Sequence, residues 1–273
     1  MNGGKKVDMA IKAVNKTKMA LELGVSRASL YYRHKRPAID EEVKSQIESV
    51  MADHPAYGHK RIAIQLAMGH NRIRRIMKKY DLKPYLRKAS RIVKKKDLNK
   101  PYTGYPNLIK SICPIRPGVI WITDFTYIKH NGKFIYVATT IDLFTREVVG
   151  VNVSRYHNRF LVMGALNDAL QQYDPSYIIH SDQGSEYDSE DFTTLTKTAG
   201  IQISMSAKGS PWQNGHQESF FSHFKKEAGD LTRFETIGEL IEYIYQQIYY
   251  YNNKRIHSVL KMTPFSFRKR HPV

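Results

Sequence analysis

Three acidic residues sit in surroundings that argue against them. Asp124 interrupts the apolar run VIWITDFTYI (119–128). Asp182 closes the run YIIHSD and is followed by Gln-Gly-Ser. Glu218 lies in NGHQESFF, where a helical segment starts after a Gly- and Pro-containing loop. A buried carboxylate is costly unless a cation, a fan of N–H groups or a metal ion compensates for it. Two carboxylates held close together resist joint ionisation. A hard divalent cation such as Mg²⁺ or Mn²⁺ removes that conflict, because it takes oxygen donors. If the strands carrying Asp124 and Asp182 are neighbours, the two acids face each other, and Glu218 supplies a third ligand from a helix. Such a set suits two-metal phosphoryl transfer, with no covalent protein intermediate. Spacing alone does not establish this, since 25 acids in 273 residues make a 36-residue separation common. The contexts carry the argument.

Other residues flank these three. Lys225 lies two helical turns beyond Glu218, on nearly the same face, where it can hold a phosphate. His180 falls two before Asp182 and is either a second-layer group or a satisfied structural histidine. His216 falls two before Glu218, with even prospects of touching substrate or serving structure. Asn214 and Gly215 shape the loop that presents Glu218, and Trp212 reads as a loop anchor. Asp142, in TTIDLFTR, is also an acid after an apolar strand; it reads as a turn cap or a partner of Arg146.

The elements that must position these groups follow from periodicity. Residues 119–128, 133–143 and 146–154 are strand-like, with Asn131-Gly132 as a hairpin turn. A helix over 158–173 leads to a fourth strand ending at Asp182. A helix over 189–200, capped by Ser189 and stopped by Gly200, leads to a fifth strand at 201–206. Two helices follow, at 212–228 and 236–257, the second opened by a Thr236/Glu239 capping box. The order implies an α/β fold with a mixed five-stranded sheet flanked by helices.

The first part of the chain has a different texture. Residues 15–36 suggest two short helices about Gly24. Met19, Ala20 and Leu23 lie on one face, Ser26 is a cap, and Arg27, Tyr32 and Arg33 are placed for groove or phosphate contact. A second helical unit opens at Asp40-Glu41-Glu42. It continues to 69–82, where Ile73, Ile76 and Met77 form a stripe among Arg72, Arg74, Arg75, Lys78 and Lys79. Residues 86–101 are basic and without pattern, including Lys94, Lys95 and Lys96. The division expected is therefore 1–38 and 39–85 as small all-α helix-turn-helix units, 86–116 as a basic linker, 117–232 as a catalytic domain and 233–273 as a helical extension.

Charge supports a partner of opposite sign. The net charge of +18 lies wholly in residues 1–116, with 27 Lys/Arg against 9 Asp/Glu; the remainder carries 16 of each. A basic arm on a neutral body reads as polyanion binding, here double-stranded DNA. One cysteine excludes a disulfide framework and a Cys-based zinc finger. No apolar stretch approaches the ~20 residues of a membrane span, and no signal peptide is evident. The single cysteine also fits a reducing cytosol.

The blocks WITDFTYI, DLFTREVVG, HSDQGSEY, SMSAKGSPWQNGHQESFFSHFKKE and YYNNKRIHSVLKMTPFSF resemble the DDE transposases of bacterial insertion sequences, within the retroviral integrase superfamily. The resemblance covers about residues 40–270. It implies an RNase H-like catalytic domain, a catalytic and metal-binding triad of Asp124, Asp182 and Glu218, two Mg²⁺ or Mn²⁺ ions, and Lys225 as the basic residue after the glutamate. It also implies strand cleavage at element ends and strand transfer into target DNA. In the group it matches, the transposase is often made from two overlapping reading frames. This chain would be the second-frame product, with an upstream-frame helix-turn-helix protein as a partner. Pairing two DNA ends calls for a homo-oligomer, at least a dimer.

Other classes fit less well. None of the eleven histidines is followed by Arg at the third position, so a tyrosine recombinase is excluded. A repressor leaves the three acids unexplained. An inactive, DNA-binding relative would keep the same residues. An RNase H-like nuclease is the alternative enzyme, separable by strand-transfer products.

Overall fold

The computed structural model describes residues 15–31, 36–85, 104–207 and 214–272. The chain divides into two compact units, residues 1–84 and 85–273.

The first unit is helical: α1 (Lys16–Glu22), α2 (Arg27–Tyr31), α3 (Arg36–Asp53), α4 (His59–Gln65) and α5 (His70–Lys79). Asn15 caps α1 through its Oδ1, which accepts the Lys18 N–H at 3.1 Å. Gly24, at φ +62, supplies the left-handed turn after α1. Ser26 Oγ then accepts the Ser29 N–H at 3.2 Å, and Ala20 packs with Leu30. Helices α3 to α5 bury Ile47, Ile62, Ile73 and Ile76 completely. The acids at 40–42 do not open α3, which starts at Arg36. Asp40 is instead buried and accepts two bonds from the Arg75 guanidinium, at 2.8 and 2.6 Å, and one from Lys79 Nζ at 3.0 Å. A bidentate, charge-assisted pair is a stronger organiser than a favourable place on the helix dipole. The Arg75 guanidinium holds the Asp40 carboxyl well below the usual carboxylate range.

The second unit is a five-stranded sheet in the order β3-β2-β1-β4-β5. β1 (Ile120–His130), β2 (Lys133–Asp142) and β3 (Val148–Ser154) form an antiparallel meander. Asn131 (φ +46) and Gly132 (φ +77) close the first hairpin, the backbone signs a type I′ turn requires. After α6 (Arg159–Gln172), β4 (Ile178–Ser181) pairs in parallel with β1; after α7 (Glu190–Thr198), β5 (Gln202–Met205) pairs in parallel with β4. β3 begins at Val148 and not at Arg146, because Arg146 is spent in the turn at φ +62.

Helices cover both faces. On one, α8 (Gly215–Glu227) and α9 (Ile237–Asn253) bury Phe220, Phe221, Phe224, Leu240, Ile244 and Ile248 against Ile120, Ile122 and Ile128. On the other, α6 and α7 bury Leu161, Val162, Ala165 and Phe192 against Trp121, Ala138 and Ile203. β3 and α6 approach so closely that a Cβ on Gly150 would stand 2.0 Å from the Ala165 carbonyl oxygen. The expected capping box is formed: Thr236 Oγ1 accepts from Glu239 N, and Glu239 Oε2 accepts from Thr236 N. Through α9 the C-terminal segment is part of the same core. Helix α10 (Pro264–Arg270) joins it through Arg268, which donates to the buried Glu147 at 3.3 Å.

Candidate active site

The β1–β4 pairing places the first two acids. It covers Ile120 to Ile122, with Ile122 opposite His180. The pairing stops two residues short of Asp124 on β1 and of Asp182 just beyond β4, so the same register continued would bring the two acids level. Adjacent strands run about 4.8 Å apart. Asp182 lies one residue past the end of β4, is exposed, and accepts the Gly184 N–H at 3.0 Å, which folds the chain into its turn. Asp124 Oδ1 accepts the next N–H, that of Phe125, at 2.8 Å. Tyr187, fully buried, offers its hydroxyl to Thr123 Oγ1 at 3.5 Å. Burial, and then the negative charges of Asp124, Asp182 and Glu186, push its pKa well above the usual 10. One phenol therefore feels all three carboxylates.

Glu218 comes from the first turn of α8, and its neighbour explains how it is placed. Gln217 is fully buried. Its Nε2 donates to the carbonyl oxygens of Ile122 and Thr139 at 2.7 and 3.1 Å, and its Oε1 accepts from Thr139 Oγ1 at 3.2 Å. Ile122 is two residues from Asp124, and Thr139 is Asp124's partner on β2. The start of α8 is thus bolted to the strand pair beside Asp124, and Glu218 follows on an exposed position. Sequence reasoning missed Gln217. A signal existed: positions 217, 220, 221 and 224 form one helical stripe, and three of the four are phenylalanines. A glutamine on such a stripe must find buried partners.

Other sequence-singled residues fall as follows. Lys225 Nζ lies 4.8 Å from the centre of the Tyr127 ring on β1. His180 is fully buried; its ring nitrogens meet Ser204 Oγ at 2.8 Å and Ser206 Oγ at 3.0 Å, and burial lowers its pKa to about 4. It ties β4 to the strand and turn beyond it, and both nitrogens are engaged there. His216 is exposed; desolvation and the Arg146 charge lower its pKa. Asn214 is 6% exposed, and neither of its amide atoms has a hydrogen-bond partner among the described residues; Gln183, next to Asp182, likewise has none there. Asp142 caps its turn, accepting from Phe144 N, Thr145 N, Thr145 Oγ1 and Gly118 N. Arg27, Arg72 and Arg74 are exposed, whereas Arg75 is committed to Asp40. Arg33, Lys94, Lys95, Lys96, Tyr32 and Trp212 lie outside the described residues.

For a divalent cation, the donors fit in kind. Asp124, Asp182 and Glu218 form an all-oxygen set, the set hard cations take, and the Gln183 amide, without a partner among the described residues, follows Asp182 in sequence. They do not form a closed cage: among the described residues no group of three or more His, Cys, Asp or Glu stands close enough to hold a metal ion. No described helix is long and apolar enough to cross a membrane.

A mixed five-stranded sheet in this order, with helices on both faces, is the architecture of an integrase-type, RNase H-like core. Two integrase core domain models match residues 114–211 and 199–264. The chain is 34% identical over 253 residues to the transposase for insertion sequence element IS904 of Lactococcus lactis, covering 86% of this chain and 98% of that one. It is 30% identical over 259 residues to the putative transposase InsK for IS150 of Escherichia coli, covering 89% and 90%. Among solved structures, a simian T-cell lymphotropic virus intasome shares the fold, with a TM-score of 0.50 and 13% identity, covering 82% of this chain and 74% of that one. The chain belongs to the insertion-sequence transposases of the retroviral integrase superfamily. It is a transposase, a polynucleotidyl transferase with an RNase H-like core.

Proposed function

We propose that this transposase cuts DNA at the ends of its element and joins them to target DNA with Asp124, Asp182 and Glu218 as the catalytic carboxylates. The observation that supports the reading is the parallel pairing of β1 with β4 up to Ile122 and His180, two residues before Asp124 and Asp182, with Gln217 anchoring the helix of Glu218 to β1 and β2. These three residues would hold two Mg²⁺ or Mn²⁺ ions, which supply Lewis-acid charge at the reacting phosphate. The protein's share is positional. Backbone bonds orient Asp124 and Asp182, the buried Gln217 fixes the helix start, and Lys225, kept near β1 by Tyr127, receives a neighbouring phosphate.

Residues 1–38 and 39–85 bind the terminal repeats as double-stranded DNA, using Arg27, Arg33, Arg72 and Arg74, with Arg75 ordering the unit through Asp40. Residues 86–116, with Lys94, Lys95 and Lys96, run along the backbone as a linker. Residues 117–232 form the catalytic domain, and 233–273 extend it. The working form is a homo-oligomer, at least a dimer, acting in the bacterial cytoplasm. An upstream-frame helix-turn-helix protein is its further partner. The test uses the purified chain and its own element-end duplex with Mg²⁺ or Mn²⁺. Metal-dependent nicks and joined products are expected, and Glu218→Gln loses both. Cleavage that persists in Glu218→Gln contradicts the assignment. Nicks without joined products favour the nuclease reading.

A further inference from the structure

A cavity of about 490 Å³ opens beside the candidate acids, lined by His157, Asn158, Arg159, Phe160, Ser185, Glu186 and Ser189. That volume is in the range of small-ligand sites. Three features set its character. Phe160 is 60% exposed at the first turn of α6, an apolar ring left in solvent at a cavity wall, with the Arg159 guanidinium 5.1 Å from its centre. Glu186 is 8% exposed and is a buried acceptor: its Oε1 takes a bond from His157 Nδ1 at 2.7 Å and its Oε2 one from Ser185 Oγ at 3.2 Å. A carboxylate only accepts, so His157 Nδ1 carries the proton.

The third feature is location. A Cβ on Gly184 would stand 3.0 Å from Asp182 Oδ1 and 3.1 Å from Glu186 Oε2, so the cavity carboxylate and the candidate catalytic one lie on either side of a single glycine. The His157 ring stacks on Phe125, the residue after Asp124, with centroids 5.9 Å apart and planes 16° apart. The cavity therefore lies next to Asp182, whose carboxylate is across Gly184 from Glu186.

We propose that this cavity takes one unpaired nucleobase of the DNA next to the reacting phosphate, stacked on Phe160 and presenting an amino group to Glu186. The chemistry selects that ligand. A base in a duplex shows no free π-face, whereas an unstacked one finds a partner in an exposed aromatic ring beside an arginine. A carboxylate acceptor takes the exocyclic amino group of cytosine, adenine or guanine, whereas thymine has no amino group and offers only its N3–H. The site rests on the transposase reading for its DNA, but not on the triad.

The test separates the two. Element-end duplexes carry 2-aminopurine at successive positions around the cleavage site, and fluorescence is read with Glu218→Gln protein, so that no strand is cut. One position is expected to change on binding, reporting loss of stacking in the duplex. Adding Phe160→Ala abolishes that change, and Phe160→Trp keeps it. With otherwise wild-type protein, Phe160→Ala slows cleavage roughly tenfold, the scale of one lost base–aromatic stack, and thymine at that position slows it relative to cytosine or adenine. A signal at no position, or one that Phe160→Ala leaves intact, overturns the proposal even if the wild type cuts normally. Failure of the wild type to cut while the Phe160-dependent signal persists counts against the triad and leaves the cavity assignment standing.

Discussion

The two ends of the sheet carry acids in similar sequence settings and treat them in opposite ways. At one end Asp142 follows the apolar strand β2, is fully buried, and accepts four hydrogen bonds from its own turn and from Gly118. Nearby Glu147, 2% exposed, is held by Arg268 and Tyr173. At the other end Asp182 follows the equally apolar β4 yet stays exposed. Helix α8 repeats the contrast along its own length. Glu218 at its start is exposed, whereas Glu227 in its last turn is paired with Arg255 through bonds of 2.6 and 2.7 Å. An acid with its partners built in holds the fold together. An acid that faces solvent can be reached by a ligand.

Exchanging neutral for charged groups at the two ends breaks the comparison most sharply. Asp182→Asn is expected to abolish strand cleavage while changing stability by less than about 0.5 kcal/mol, as for an exposed side chain; gel assays and thermal melts on one preparation check both. On α8, Arg255→Ala removes the ion pair of the half-buried Glu227 and should cost about 3 kcal/mol, read as a lower urea midpoint. Asp142→Asn sets an amide donor against backbone donors and should cost about 3 kcal/mol, with cleavage retained below its melting temperature. A further effect is a pH slope. His180 has a folded pKa of about 4, below the ordinary 6.5. Between those values the unfolded chain binds a proton that the folded one refuses, so stability falls as pH drops from 6.5 to 4 and is unaffected by this group above 6.5. His180→Gln should flatten that part of the stability–pH curve.

Much of this was legible in the chain. The meander, the parallel strands and the Asn131-Gly132 turn followed from alternation and turn chemistry. Asp124 and Asp182 stood out because each broke an apolar pattern. The difference between Asp182 and Asp142 was not legible, since it depends on which backbone N–H groups the turn brings round. Arg75 looked like its exposed neighbours on α5, and its pairing with Asp40, 35 residues away, depends on how α3 packs on α5. His157 and Glu186 lie 29 residues apart and meet through the crossover by α6, a contact no local pattern encodes. The anchoring role of Gln217 was legible in principle, as a polar member of a phenylalanine stripe.

The most direct test of the central claim is Mn²⁺ binding to the protein–DNA complex, followed by electron paramagnetic resonance. The wild type should bind about two ions per active site. Asp124→Asn, Asp182→Asn and Glu218→Gln should each weaken that binding severely, and Asp142→Asn should leave it unchanged. Equal Mn²⁺ binding in the wild type and in Glu218→Gln would contradict the assignment of these three carboxylates to one metal site.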